Sequence, residues 1–269
     1  MRRAASAILA LVLLAAVLPC GQLMAQRRID PLIANTDDPV ELQQLAVQFI
    51  RGNQTRSALD ALLKALSIYP DNAETHMWTG VVYTQLNEFE AAEQSFERAL
   101  EINPDLSEAR NWYGVHLTQR GLLDRAVDQY RIALDDPAYP RISRARVLVN
   151  LGNVLLAKGD VEAAIPVLSE AARSGVASND QLYSLVHQGL AEALIKNGRA
   201  EEALGALENL DVLPPNPRTE YLTGLAYRDL GEVNSARDHL QRVLRLAPGT
   251  ELADEALQVL RALQPDEQR

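Results

Sequence analysis

Small and large apolar residues recur along this chain in a fixed order, with a period of about 34 residues. In residues 73–106 the order is Gly80, Tyr83, Ala92, Phe96, Ala99 and Pro104, at positions 8, 11, 20, 24, 27 and 32 of the unit. The same ruler finds Ala46, Phe49, Ala58, Leu62, Ala65 and Pro70 in residues 39–72. It finds Gly114, Leu117, Ala126, Tyr130 and Ala133 in 107–140, with Ala138 in place of the proline, and Gly152, Leu155, Ala164, Leu168 and Ala171 in 145–178. Ala191, Leu194, Ala203, Leu207 and Pro215 follow in 184–216, then Gly224, Tyr227, Ala236, Leu240 and Pro248 in 217–250.

Each unit reads as two antiparallel helices. Small residues at positions 8 and 20 let the helix backbones approach, and the large residue at position 24 fills the gap between neighbouring pairs. Asn53, Asn87, Gly121, Gly159, Gly198 and Gly231 share one place in the turn, where a left-handed conformation ends the first helix. Pro70, Pro104, Pro215 and Pro248 end the second helices. No pair can bury its apolar faces alone, so stability requires stacking. Residues 251–263 form one more amphipathic helix, with Leu252, Ala256, Val259, Leu260 and Leu263 on one side, suited to cap the last pair. Residues 264–269 are polar and predicted to be disordered. Extra residues separate repeats three and four, around residues 139–144, and repeats four and five, at 179–183. Each is a longer connection or a functional insertion.

The six-fold pattern resembles the tetratricopeptide repeat (TPR) family over residues 39–250. The resemblance implies an all-α fold: an α-solenoid, a right-handed superhelix of six TPR helix pairs plus the C-terminal capping helix. It also implies a concave groove lined by first helices. Carried over by position, the groove holds Gln43, Val47, Ile50 and Arg51 in repeat one, and Met77, Val81, Thr84 and Gln85 in repeat two. Repeat three supplies Asn111, Val115, Thr118 and Gln119, and repeat four Arg146, Val149, Asn153 and Leu156. Repeats five and six supply Leu185, Gln188, Glu192 and Ile195, then Arg218, Tyr221, Leu225 and Arg228. The basic clamp of chaperone-tail TPRs is missing from the first repeats. An apolar strip with amide neighbours suits a helix or extended segment of a protein partner, unless residues 26–38 of the chain itself fill it. Within the TPR class, residues 111–114 (Asn-Trp-Tyr-Gly), Tyr139-Pro140, Ser143-Arg144 and residues 150–152 resemble type IV pilus biogenesis and stability proteins of the PilF/PilW kind. That resemblance implies an envelope lipoprotein with six TPRs that helps an outer-membrane secretin ring assemble.

Composition narrows the chemistry. The net charge is −10, with no basic run beyond Arg2-Arg3 and Arg27-Arg28, which argues against nucleic acid as a partner. His76, His116, His187 and His239 show no ligand spacing, and no phosphate loop or nucleophile elbow is present. The expectation is a protein without enzymatic activity, metal or cofactor. Trp78 and Trp112 share position 6, which favours a packing role over ligand stacking.

Residues 1–25 read as a secretory signal: Arg2-Arg3, a twelve-residue apolar stretch at 7–18, then Pro19. Cleavage after Ala25 gives a periplasmic chain beginning with a lead-in at 26–38, predicted to be flexible. Lipidation of Cys20, the sole cysteine, gives an outer-membrane lipoprotein instead, although Pro19 departs from the usual lipoprotein signal. Lipidation is the one route by which the chain would engage a membrane.

Overall fold

The computed structural model describes residues 30–174, 181–210 and 213–263. The signal segment with Cys20, residues 26–29 of the lead-in and the tail at 264–269 lie outside the described residues. Among the described residues there are fourteen α-helices and no strand. The chain divides into two compact units, residues 1–71 and 72–269.

The N-terminal unit holds α1 (Pro31–Ala34), α2 (Pro39–Arg51) and α3 (Thr55–Ile68). Asp30 and Asp38 start α1 and α2: each Oδ1 accepts a backbone N–H two residues on, from Leu32 and Val40, both at 2.9 Å. A proline follows each cap, where its missing N–H costs nothing. The described part of the lead-in thus carries a short helix, Pro31–Ala34. Ile33 is completely buried, and the Lys64 ammonium donates to the Ile33 and Thr36 carbonyls at 3.0 and 2.6 Å and pairs with Asp37 at 2.8 Å. One apolar side chain and one lysine from α3 suffice to fix a segment whose polar composition reads as flexible.

The C-terminal unit stacks five pairs and a final helix: α4 (Ala73–Gln85) with α5 (Phe89–Ile102), α6 (Ser107–Gln119) with α7 (Leu123–Leu134), and α8 (Arg141–Lys158) with α9 (Val161–Arg173). Next come α10 (Gln181–Lys196) with α11 (Ala200–Glu208), α12 (Pro217–Asp229) with α13 (Val233–Leu246), and α14 (Glu251–Ala262). Leu240 and Val243 of α13 pack with Ala256 and Leu260 of α14. The result is an α-solenoid of TPR helix pairs.

The glycines at position 8 show why the pairs close tightly. A Cβ on Gly114 would sit 2.5 Å from the Tyr130 ring, and one on Gly80 2.9 Å from the Phe96 ring. The large residue at position 24 thus lies first beneath the glycine of its own pair. It reaches the neighbour as well: Phe96 stacks on Tyr113 of the next repeat with centroids 5.5 Å apart. The turn position behaves as the sequence predicts, with φ of 55° at Asn53, 59° at Asn87 and 74° at Gly121.

Three sequence expectations need correction. Residues 141–144 are not loop: α8 begins at Arg141 and runs for 18 residues, with the four extra residues forming its first turn. Arg141 Nη2 donates to the Ser174 carbonyl at 2.7 Å and Arg144 Nη1 to the Leu134 carbonyl at 2.5 Å, so two guanidiniums cap the carbonyl ends of α9 and α7. Likewise α10 already begins at Gln181. Third, α11 ends at Glu208, seven residues before Pro215, which therefore does not terminate it.

Candidate functional site

The first helices of repeats two and three, α4 and α6, lie side by side. Positions 9, 12 and 13 of α4 and positions 9 and 13 of α6 line one pocket of about 110 Å³: Val81, Thr84 and Gln85 from α4, Val115 and Gln119 from α6. Phe96 and Trp112 also line it. Gln85 and Gln119 are exposed, Val115 is half-buried, and Val81 is buried. Gln119 Nε2 donates to Asn87 Oδ1 at 3.4 Å. Repeat position alone groups the valines and amides of this pocket. Trp112 and Phe96 are missed because they stand at positions 6 and 24, outside the groove set. The shared tryptophan position at 78 and 112 is the signal that could have found the former.

Trp112 packs against its counterpart in repeat two as well as lining the pocket. Its ring lies 6.2 Å from that of Trp78, and its Nε1–H donates to Glu108 Oε1 at 3.0 Å. The other Glu108 oxygen accepts from Tyr139 at 2.6 Å, which fixes the indole from the far side of its repeat. The pocket wall has a polar backing as well. Thr84 Oγ1 donates to the Gly80 carbonyl at 2.9 Å, so it accepts from His116 Nδ1–H, also at 2.9 Å. His116 is wholly buried, with Phe89, Phe96 and Tyr113 rings around it, and its Nε2 has no partner among the described residues. Burial first, then the charge of Arg120, pushes its pKa down, so the ring is neutral.

On the same repeat pair, Arg120 and Arg125 of repeat three converge on Glu93 of repeat two at 2.5 and 2.7 Å. Burial works against the Glu93 charge. Hydrogen bonds from Arg125 and Tyr113, with the charges of both arginines, outweigh it and hold the carboxyl below its usual range. Burial raises the Tyr113 phenol, with the Glu93 charge adding to it.

The remaining groove residues do not form one exposed strip. Met77, Asn111, Val149, Leu156 and Ile195 are buried, because first helices of adjacent repeats pack together and shield these positions. Asn111 Oδ1 accepts from Asn150 Nδ2 at 3.1 Å. Val47 and Ile50 are half-buried on α2, in the N-terminal unit, and Asn153 is exposed on α8. In repeats five and six the polar groove residues pair with nearby side chains of the same two repeats. Gln188 Nε2 donates to Thr219 Oγ1 at 3.0 Å and Asn216 Oδ1 at 3.3 Å. Glu192 pairs with Arg218 at 2.7 Å and Lys196 at 2.9 Å. Burial opposes its charge, but these bonds lower its pKa. The Arg218 guanidinium lies 5.8 Å over the Tyr221 ring, and Leu225 is half-buried.

Among the described residues, no three His, Cys, Asp or Glu side chains gather as a metal-ligand set, and no helix is long and apolar enough to cross a membrane. His187 is buried, with its ring 4.4 Å from that of Tyr183, and His239 bonds to Glu220.

No curated protein matches the chain significantly. Solved structures do. A structure from a functional characterisation of Pseudomonas aeruginosa PilF is 24% identical, with a TM-score of 0.70, covering 82% of this chain and 96% of its own. PilW, described as a widely conserved type IV pilus biogenesis factor, is 22% identical, with a TM-score of 0.71 and coverage of 81% and 98%. YrrB, a TPR protein with an unusual peptide-binding site, is 21% identical, with a TM-score of 0.59 and coverage of 74% and 99%. At these identities the likeness is one of fold. Tetratricopeptide repeat models match residues 73–106 in one case and 149–215 and 189–251 in another, together just over half of the sequence. The chain belongs to the tetratricopeptide repeat family.

Proposed function

We propose that this chain is a non-catalytic scaffold of the bacterial envelope that holds a protein partner, and that the partner is a component of type IV pilus or secretin assembly. The observation that carries the binding role is the convergence of Val81, Val115 and Trp112, rimmed by Gln85 and Gln119, around one pocket between α4 and α6. An apolar cleft edged by amides receives an apolar side chain while bonding the backbone that presents it. The pilus reading is supported by the sequence stretch at 107–172, with its Tyr139-Pro140 joint, and by the fold shared with PilF and PilW.

The test is capture of secretin subunits from envelope extracts by the purified chain. Val115→Asp places a charge in the pocket at a half-buried position and should weaken capture strongly. Val81→Asp is a poor probe, because Val81 is buried and the fold would suffer. Retained capture by a folded Val115→Asp protein removes the groove from the proposal.

A second reading, a general periplasmic scaffold for cell-wall synthesis or outer-membrane assembly, is favoured by Pro19 before Cys20. The intact mass of the mature protein separates the two. A chain beginning at an acylated Cys20 supports the pilus role, and one beginning at Gln26 supports the general scaffold.

A further inference from the structure

Repeats five and six enclose a second, polar pocket of about 330 Å³ that groove binding does not use. Two local features accompany it. Position 7 of the first helix is Tyr113, Leu151 and Leu190 in repeats three to five but Thr223 in repeat six, as it is Thr79 in repeat two. The helix that should cover the opening, α11, has nine residues, where α5 has fourteen. The walls are Leu204, Leu207 and Glu208 from α11, Thr219, Glu220, Thr223 and Tyr227 from α12, and His239 and Arg242 from α13. On α12 these residues stand beside, and apart from, the groove positions Tyr221 and Leu225. The volume falls in the lower range of sites that take small ligands or single side chains.

The pocket offers several acceptors beside the donors of Arg242 and the Tyr227 hydroxyl. Glu220 Oε2 accepts from His239 Nδ1 at 2.8 Å and faces Arg242 Nη1 at 3.5 Å, which leaves its other oxygen for a ligand. Thr223 Oγ1 spends its proton on the Thr219 carbonyl at 2.9 Å, so it too can only accept. Glu208 is exposed at the mouth. Two carboxylates, Glu208 and Glu220, stand in the walls against one guanidinium, Arg242. Leu204 and Leu207 supply an apolar wall, and the His239 ring lies on Tyr227 with centroids 5.4 Å apart. An amphipathic cation meets all of these at once: its stem rests on the leucines and its donors reach the carboxylates.

We propose that this pocket receives a cationic side chain, arginine or lysine, from a protein partner. The probes are the N-acetyl amides of arginine, lysine and glutamate, titrated against the full mature chain while NMR follows the His239 ring. The arginine or lysine derivative, or both, should shift these signals saturably, and their ratio tells guanidinium from ammonium. Glu208→Gln should weaken binding about tenfold, the effect of losing one charge-assisted bond. Thr223→Leu restores the residue of repeats four and five and should abolish the shift, with helix content by circular dichroism unchanged. The proposal is overturned if neither cation shifts His239, if the glutamate derivative does so equally, or if folded Thr223→Leu protein responds like the parent.

Discussion

Repeats two and three and repeats five and six carry the same helix pairs, yet their groove residues behave in opposite ways. In the first region, positions 9 and 13 are Val81, Val115, Gln85 and Gln119, and they leave a cleft. In the second, positions 5 and 9 hold Gln188 and Glu192, which turn to Thr219, Asn216, Arg218 and Lys196. Apolar side chains cannot satisfy one another by hydrogen bonding, so a gap between them stays open to a partner. Gln188 and Glu192 instead close on their neighbours along the groove. A TPR groove is thus built from what its neighbours leave unpaired, and repeat position alone does not specify it.

The largest effect should come from removing the floor of the open region. Phe96 is fully buried beneath Gly80 and stacked on Tyr113, so Phe96→Ala should cost about 3–5 kcal/mol in urea unfolding and erase the cleft. Next comes a matched pair at position 9. Val115→Asp should weaken secretin capture about thirtyfold, roughly 2 kcal/mol, whereas Leu225→Asp should leave it nearly unchanged. Equal losses would erase the distinction between the two regions.

A smaller effect, from protons, reaches both regions. His116 in the first and His187 in the second have pKa values lowered by burial. An unfolded histidine takes up a proton near pH 6.5, while the folded ring resists until lower pH. Their stabilising contribution is therefore complete above pH 6.5 and is lost as pH falls through the depressed values. Glu93 and Glu192 behave the same way further down. Their lowered pKa values give stability that is present above the unfolded carboxyl range and is lost as pH drops through the folded values. The thermal midpoint should fall in two stages below pH 6.5, and a flat profile down to pH 5 would contradict the first. Smallest is Gly121→Ala, where φ is 74° and a Cβ meets nothing within 4 Å. Backbone strain alone should cost about 1 kcal/mol in urea unfolding.

Much of the fold is legible in the sequence because the repeat obeys short-range rules. Asn53 and Gly121 mark turns by their own conformational tolerance, and Gly114 and Tyr130 are paired by fixed spacing. What escapes depends on partners far along the chain. Ile33 is buried, and its carbonyl accepts from Lys64, 31 residues on. The first turn of α8 forms where Arg141 and Arg144 find carbonyls at the ends of two other helices. The groove list fails in the same manner: Met77 and Val149 stand at surface-facing positions but are covered by adjacent first helices.

Those two arginines carry an asymmetry in how this joint can drift through mutation. Their acceptors are main-chain carbonyls, which exist whatever residue stands at positions 134 and 174. The receiving positions can vary without loosening the contact. The donors have no such latitude: a side chain too short to reach from 141 or 144 takes a donor away from a helix-end carbonyl. Across the longest first helix of the solenoid, the identity of two residues stands surety for a connection to which the other side contributes only backbone.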